Sequence, residues 1–221
     1  MRRPDPESAP APLLVLGTSH FATEIADVAS DCPELAVAGF VENLDRSRCE
    51  SSLDGQPVLW IDEAAELAPT HLAVCGLGTT RRSIYTDQAE TLGFRFATIV
   101  HPSACVSRRS VLGEGTIVCR NAVVGAHARL GRHVLVSNGV MVGHHTHLAD
   151  FASLMVGSNV AGSCRIGEAV YLGMGALVLD HLSVGSRSIV GAGAVVTKDL
   201  PERVLAVGVP ARIVKEGVEP Q

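Results

Sequence analysis

Three histidines crowd into the nine residues VGHHTHLAD (142–150): His144, His145 and His147. An imidazole titrates near pH ~6.5, so it can take or give a proton in neutral water, and each of the three is a candidate general base. The same ring nitrogens hold zinc where three protein ligands converge and a fourth position stays open. Spacing keeps both chemistries in play: His127, His145 and His181 stand 18 and 36 residues apart, and Gly162 follows His144 by 18. Solvated or packed side chains are the plain alternative for any one of these histidines, and for His147 above all. The six cysteines (Cys32, Cys49, Cys75, Cys105, Cys119, Cys164) show no C-x-x-C pair, which argues against a zinc knuckle or a disulfide framework and for reduced thiols in the cytoplasm.

The spacing of 18 has a source. Every sixth residue from Val106 to Val196 is Val, Leu or Ile, a run of sixteen without a polar member, often followed by Gly and with a small residue four places on (Thr116, Ala122, Ala128, Ala152, Ser158, Ala176). Helices need spacings of three and four and half-buried strands need two, so a strict six marks a repeat architecture. Each hexad supplies one flat strand with its aliphatic inward, and three hexads close a triangular coil of 18 residues. Stacked coils lie about 4.8 Å apart, so residues 18 apart stand one above the other. A parallel β-helix of about five coils follows, its corners made by Gly or Asn. Its flat apolar faces are expected to be covered by copies of the same chain in a three-fold homotrimer.

The first half reads differently. LLVLGTS (13–19) suggests a buried strand, 20–31 a helix, 35–41 a second strand, 70–77 another strand and 79–92 a helix, which is the alternation of a parallel sheet with helices on its faces. Ligands of such sheets sit at the carboxyl ends of the strands, where Gly17-Thr18-Ser19-His20 turns into the first helix. Only the first glycine of a G-x-G-x-x-G pattern is present, which disfavours a nicotinamide or flavin dinucleotide. The expected division is a tail over 1–12, a Rossmann-like α/β domain over 13–102, the β-helix over 103–200 and a carboxyl-terminal segment over 201–221. A formal charge of -5 gives no footprint for nucleic acid, and the apolar run at Leu13 to Leu16 is too short for a membrane span.

Together these features resemble the left-handed β-helix acyltransferases, in which the hexad is an aliphatic, then Gly or an acid, then a small residue near its end. Gly208-Val209-Pro210-Ala211-Arg212 is similar to the G-x-P-A-[K/R] segment that follows the helix in those enzymes. Over residues 13–215 the order of segments resembles the sialic-acid O-acetyltransferase type, which includes N-acetyltransferases of nucleotide-linked amino sugars. LVLGTSHFATEIADV, GFVEN, CGLGTTRRSIY and TIVHPSACVS carry the likeness.

The resemblance implies acetyl-CoA as acyl donor, no metal, a nucleotide sugar or sugar as acceptor, and sites between the subunits of a trimer. It places the catalytic base at His144. Gly162, one coil above, would offer its N–H to the thioester oxygen, and Met174 and Ala192 would touch the pantetheine arm through their backbone. Ser19, His20, Glu42 and Gly76 or Gly78 would border the nucleotide sugar. Acyl transfer needs such a base, and a donor for the oxyanion. The family commonly follows the base with an acid that orients it; this chain has His145 there, and Asp150 is the nearest carboxylate that could substitute. It also has His20-Phe21 in place of Gly-His and Glu42-Asn43 in place of an acidic pair. Two other readings stand beside this one: a zinc lyase of the γ-carbonic-anhydrase type, using His127, His145 and His181, and a non-catalytic trimeric binding protein.

Overall fold

The computed structural model describes residues 9–79 and 82–219. Of these, the residues up to Gly78 together with Arg82–Ile99 form one compact unit, and those from Val100 onward form a second. No helix among the described residues is long and apolar enough to cross a membrane.

In the first unit the elements are β1 (Ala11–Leu16), α1 (His20–Ser30), β2 (Leu35–Glu42), β3 (Ser52–Leu53), β4 (Gln56–Trp60), α2 (Ile61–Ala64), β5 (Leu72–Cys75), α3 (Ser83–Thr91) and β6 (Arg95–Phe96). Their sheet runs β3-β4-β2-β1-β5-β6, and every pairing is parallel except the β3–β4 hairpin. Leu13 to Leu16 are fully buried, as an unbroken apolar run in the middle of a parallel sheet should be. Helix α1 buries Ala22, Ile25, Ala26, Val28 and Ala29, one amphipathic stripe. The hairpin over 52–60 adds an edge that the alternation did not announce. The second expected helix begins at Ser83 rather than 79, and residues 80 and 81 lie outside the described residues.

The second unit is a parallel β-helix. Sixteen two-residue strands run from Cys105–Val106 to Val195–Val196, and the second residue of each is a member of the six-residue series. From Val118 onward every member is at most 3% exposed, so the aliphatic ladder is the core. The strands pair in parallel at a register of 18: Val123 with Met141, Arg129 with His147, Leu135 with Ser153. Three faces result. Face A carries the column Leu135, Ser153, Tyr171; face B carries Val123, Met141, Asn159, Leu177; face C carries Val111, Arg129, His147, Arg165, Ser183. Val204–Val207 continues face A, and Arg212–Glu216 folds back on it antiparallel, with a cis peptide bond at Val209–Pro210 between them.

The corners are more varied than Gly and Asn. A left-handed residue recurs every six positions from Gly115 to Gly193, and the series includes His127 (φ 62°), His133 (53°), His145 (57°), Phe151 (61°), Ser163 (60°), His181 (60°) and Arg187 (60°). That conformation costs a residue with a Cβ roughly 1–2 kcal/mol, an amount that coil stacking outweighs. The column of His127, His145 and His181 is therefore a column of corner residues set by the backbone.

Candidate active site

His144 opens the corner between faces B and C in the third coil, just after Met141–Val142 and just before His147–Leu148. Its carbonyl accepts the N–H of Ser163 at 2.8 Å, and the N–H of His145 reaches the carbonyl of Ala126 at 3.0 Å, so the corner is tied to the coils on both sides. The imidazole lies over Gly162: a Cβ on that glycine would stand 2.6 Å from Cε1 and 2.7 Å from Nε2 of His144. Any larger residue at 162 would displace the ring. Among the described residues the Gly162 N–H donates to no protein acceptor, which leaves one amide free beside the ring.

On its other side Nδ1 of His144 lies 3.2 Å from Nδ1 of His145, the two rings meeting edge to face. One nitrogen of that pair carries the proton and the other accepts it. Asp150, the carboxylate that the sequence offered as an alternative, serves a different corner, where its Oδ1 accepts the N–H of Arg132 at 2.8 Å. Hexad spacing explains this: six residues after His144 the chain has already turned from face C towards face A.

The zinc arrangement does not form within the chain. His127 and His145 stack face to face, with centroids 4.8 Å apart, instead of aiming at a common point, and Ser163 occupies the level between His145 and His181. Among the described residues no group of three His, Cys, Asp or Glu side chains is placed to hold a metal. Cys164 is built into the coil: burial pushes its thiol up, and its S–H donates to the carbonyl of Leu179 at 3.0 Å.

Met174 and Ala192 are stacked as their spacing requires: the Gly193 N–H bonds the Met174 carbonyl at 2.8 Å, and both residues are exposed. They occupy the corner between faces A and B, whereas His144 and Gly162 occupy the corner between B and C. Within one chain the two pairs thus border opposite edges of face B. Between them Met141, Val160, Ala161, Leu177 and Leu179 line an apolar hollow of about 310 Å³.

In the α/β unit, parallel pairing brings the ends of β1, β2 and β5 side by side, and with them Ser19, His20, Glu42 and Gly76. Ser19 caps α1 in an extended conformation but makes no side-chain cap bond, and both it and His20 are exposed. Gly76 is buried and structural, since a Cβ there would meet Val15 Cγ1 at 2.7 Å and Ala22 Cα at 2.8 Å. Gly78 is open by comparison, with Phe21 at 3.5 Å.

Glu42 is also built in. Its Oε1 accepts the N–H groups of Asn43 (2.9 Å), Leu44 (2.7 Å) and Asp45 (3.3 Å), its Oε2 accepts the Thr18 hydroxyl, and Arg48 stands 3.5 Å away. Burial by itself would raise this carboxyl; the Thr18 hydroxyl and the three amides outweigh it and hold the group below the ordinary carboxylate range. Both oxygens are occupied, so Glu42 joins the turn after β1 to the turn after β2.

The six-repeat bacterial transferase hexapeptide family matches residues 163–198. Among solved structures, a histidine mutant of perosamine N-acetyltransferase from Caulobacter crescentus, in complex with CoA and GDP-perosamine, is 30% identical, with a TM-score of 0.86 over 93% of this chain and 98% of that one. The chain belongs to the hexapeptide-repeat nucleotide-amino-sugar acetyltransferases. It is an acyltransferase, and its β-helix is of the left-handed kind. Two further solved structures are similar over nearly the same length: the acetyltransferase domain of PglB from Neisseria gonorrhoeae (29% identity, 92% of this chain and 99% of that one, TM-score 0.85) and WeeI from Acinetobacter baumannii (25%, 91% and 99%, 0.84). No curated protein sequence matches this acetyltransferase.

Proposed function

We propose that the chain transfers the acetyl group of acetyl-CoA to the amine of a nucleotide-linked amino sugar, with His144 as general base. The observation that carries this reading is the His144 imidazole seated on Gly162 beside a free amide. The acceptor nitrogen attacks the thioester carbonyl, forming the C–N bond while Nε2 of His144 takes its proton; the oxyanion is met by the Gly162 N–H. Collapse breaks the C–S bond, and the proton on His144 passes to the departing CoA thiolate. Nε2 must begin unprotonated, so Nδ1 of His144 carries the hydrogen and donates it to Nδ1 of His145, which takes the orienting role that a carboxylate has elsewhere in the family.

Support for the donor and acceptor comes from the relatives: CoA and GDP-perosamine are bound in the perosamine enzyme, and acetyl-CoA in a PglB acetyltransferase structure. On the same reading the exposed ends of the α/β strands, at Ser19 and His20, border the nucleotide. The six cysteines, all free thiols, suit the cytoplasm. Incubating the protein with acetyl-CoA and UDP-, GDP- or dTDP-linked amino sugars, followed by mass spectrometry, tests the reaction: one sugar gains an acetyl group. No acetylated product from any of them would overturn the proposal.

The assembly we propose is a homotrimer in which one subunit supplies His144 and Gly162 and the next supplies the Met174 and Ala192 edge to the pantetheine arm. Face B supports it, because Val123, Met141, Val156, Met174, Leu177 and Leu179 are large apolar side chains left exposed along that face and its borders. Leu177→Glu should break the trimer and abolish turnover while the isolated subunit keeps its β-helix. Light scattering that shows an active monomer of the unmodified chain at micromolar concentration would contradict this.

A further inference from the structure

Face C carries a ladder that neither the fold nor the proposed chemistry uses. Arg129 stands directly opposite His147, and His147 directly opposite Arg165, on three successive strands whose inward partners Leu130, Leu148 and Ile166 are buried. All three outward side chains are exposed. Strands lie about 4.8 Å apart, so Arg129 and Arg165 stand about 9.6 Å apart on one face with only His147 between them.

A chain of net charge -5 has acids with which to quench such a column, and it does so elsewhere, as where Arg187 lies 3.9 Å from Glu168. Among the described residues the Arg129 and Arg165 guanidinium groups have no ion pair or hydrogen bond. Arg108 and Arg109, exposed on the bordering corner in the first coil, extend the same uncompensated charge. Beside the ladder opens a cleft of about 390 Å³ lined by His145, His147, Ser163, Cys164 and Arg165. It offers a guanidinium, imidazole nitrogens and a hydroxyl, one histidine away from His144.

We propose that this ladder and cleft bind the diphosphate of a substrate, with Arg129 and Arg165 as the paired cations. Guanidinium groups match phosphate oxygens two at a time, and the two arginines, one on each side of His147, can close on a diphosphate from both ends with their long side chains. Two substrates in the proposed reaction carry a diphosphate, the nucleotide-linked acceptor and CoA. The choice between them rests on that reaction; the anion site itself does not.

Inorganic pyrophosphate, titrated calorimetrically into the full chain, is the direct probe. The intact protein should bind it, more weakly as salt is raised. Arg129→Ala with Arg165→Ala should weaken binding at least tenfold, whereas Lys215→Ala, which removes one exposed charge from the carboxyl-terminal strand, should not. Displacement of pyrophosphate by GDP or UDP assigns the site to the acceptor, and displacement by CoA assigns it to the donor. Displacement by neither overturns its assignment to a substrate. Pyrophosphate bound equally by the double variant overturns the site, as does a double variant whose only change is its number of subunits. A protein that binds pyrophosphate through these arginines yet acetylates no sugar would keep the anion site and lose the proposed reaction.

Discussion

The imidazole of His144 fills the space that a side chain on Gly162, one coil above, would occupy. The six-residue repeat brings the two residues into register, and the missing Cβ leaves the ring room beside a backbone whose amide is free. Gly162 is thus needed for contact; its φ lies outside the left-handed region, so alanine would suffer no backbone strain there.

Gly162→Ala isolates that contact. A Cβ 2.6 Å from the ring must push it aside, and a displacement of this order costs about a hundredfold in a positioned reaction. We expect kcat to fall by at least tenfold while the melting temperature stays within a few degrees. Unchanged kcat would show that the ring position is immaterial.

His145 should act as a positioning residue. His145→Ala removes the acceptor for Nδ1–H of His144 and should lower kcat by about tenfold, a smaller loss than removing the base itself. His145→Asp should restore the rate, because a carboxylate accepts the same hydrogen bond more strongly and aspartate tolerates the φ of 57°. Rescue by aspartate separates this from a structural role, since it restores the acceptor and not the ring. An Asp variant as slow as the Ala variant, with the same melting temperature, would contradict the assignment.

Glu42 makes a prediction about stability. Its folded carboxyl is held below the ordinary range, so its contribution is fully present above that range and is lost as pH falls through the lowered value. Glu42→Gln should cost about 1 to 3 kcal/mol near neutral pH, the scale of hydrogen bonds to a charged group, and progressively less in acid. Thermal melts at pH 7 and pH 3 read this directly. Equal deficits at both would mean that the charge is irrelevant to the turn.

The β-helix was legible in the sequence because each of its strands is two residues long with one buried aliphatic, so a single period sets both the coil and the stacking of His144 under Gly162. Its corners were not: Phe151 and Arg187 adopt left-handed conformations that residue preference alone would refuse, and only the closed coil imposes them. Glu42 was read through the resemblance as a ligand contact. Its partner Thr18 lies 24 residues away and joins it only once β1 and β2 pair. The face C ladder could have been found from the 18-residue spacing of Arg129, His147 and Arg165, had the outward positions been read as closely as the inward ones.

The central claim is that His144 takes the proton from the acceptor. Single-turnover and steady-state rates of His144→Ala, measured beside its acetyl-CoA affinity on an acceptor found by the nucleotide-sugar screen, test it most directly. Loss of a general base costs about 10²–10⁴-fold, so kcat should drop by at least a hundredfold while acetyl-CoA binds as before. A His144→Ala enzyme that turns over at the unmodified rate would contradict the mechanism.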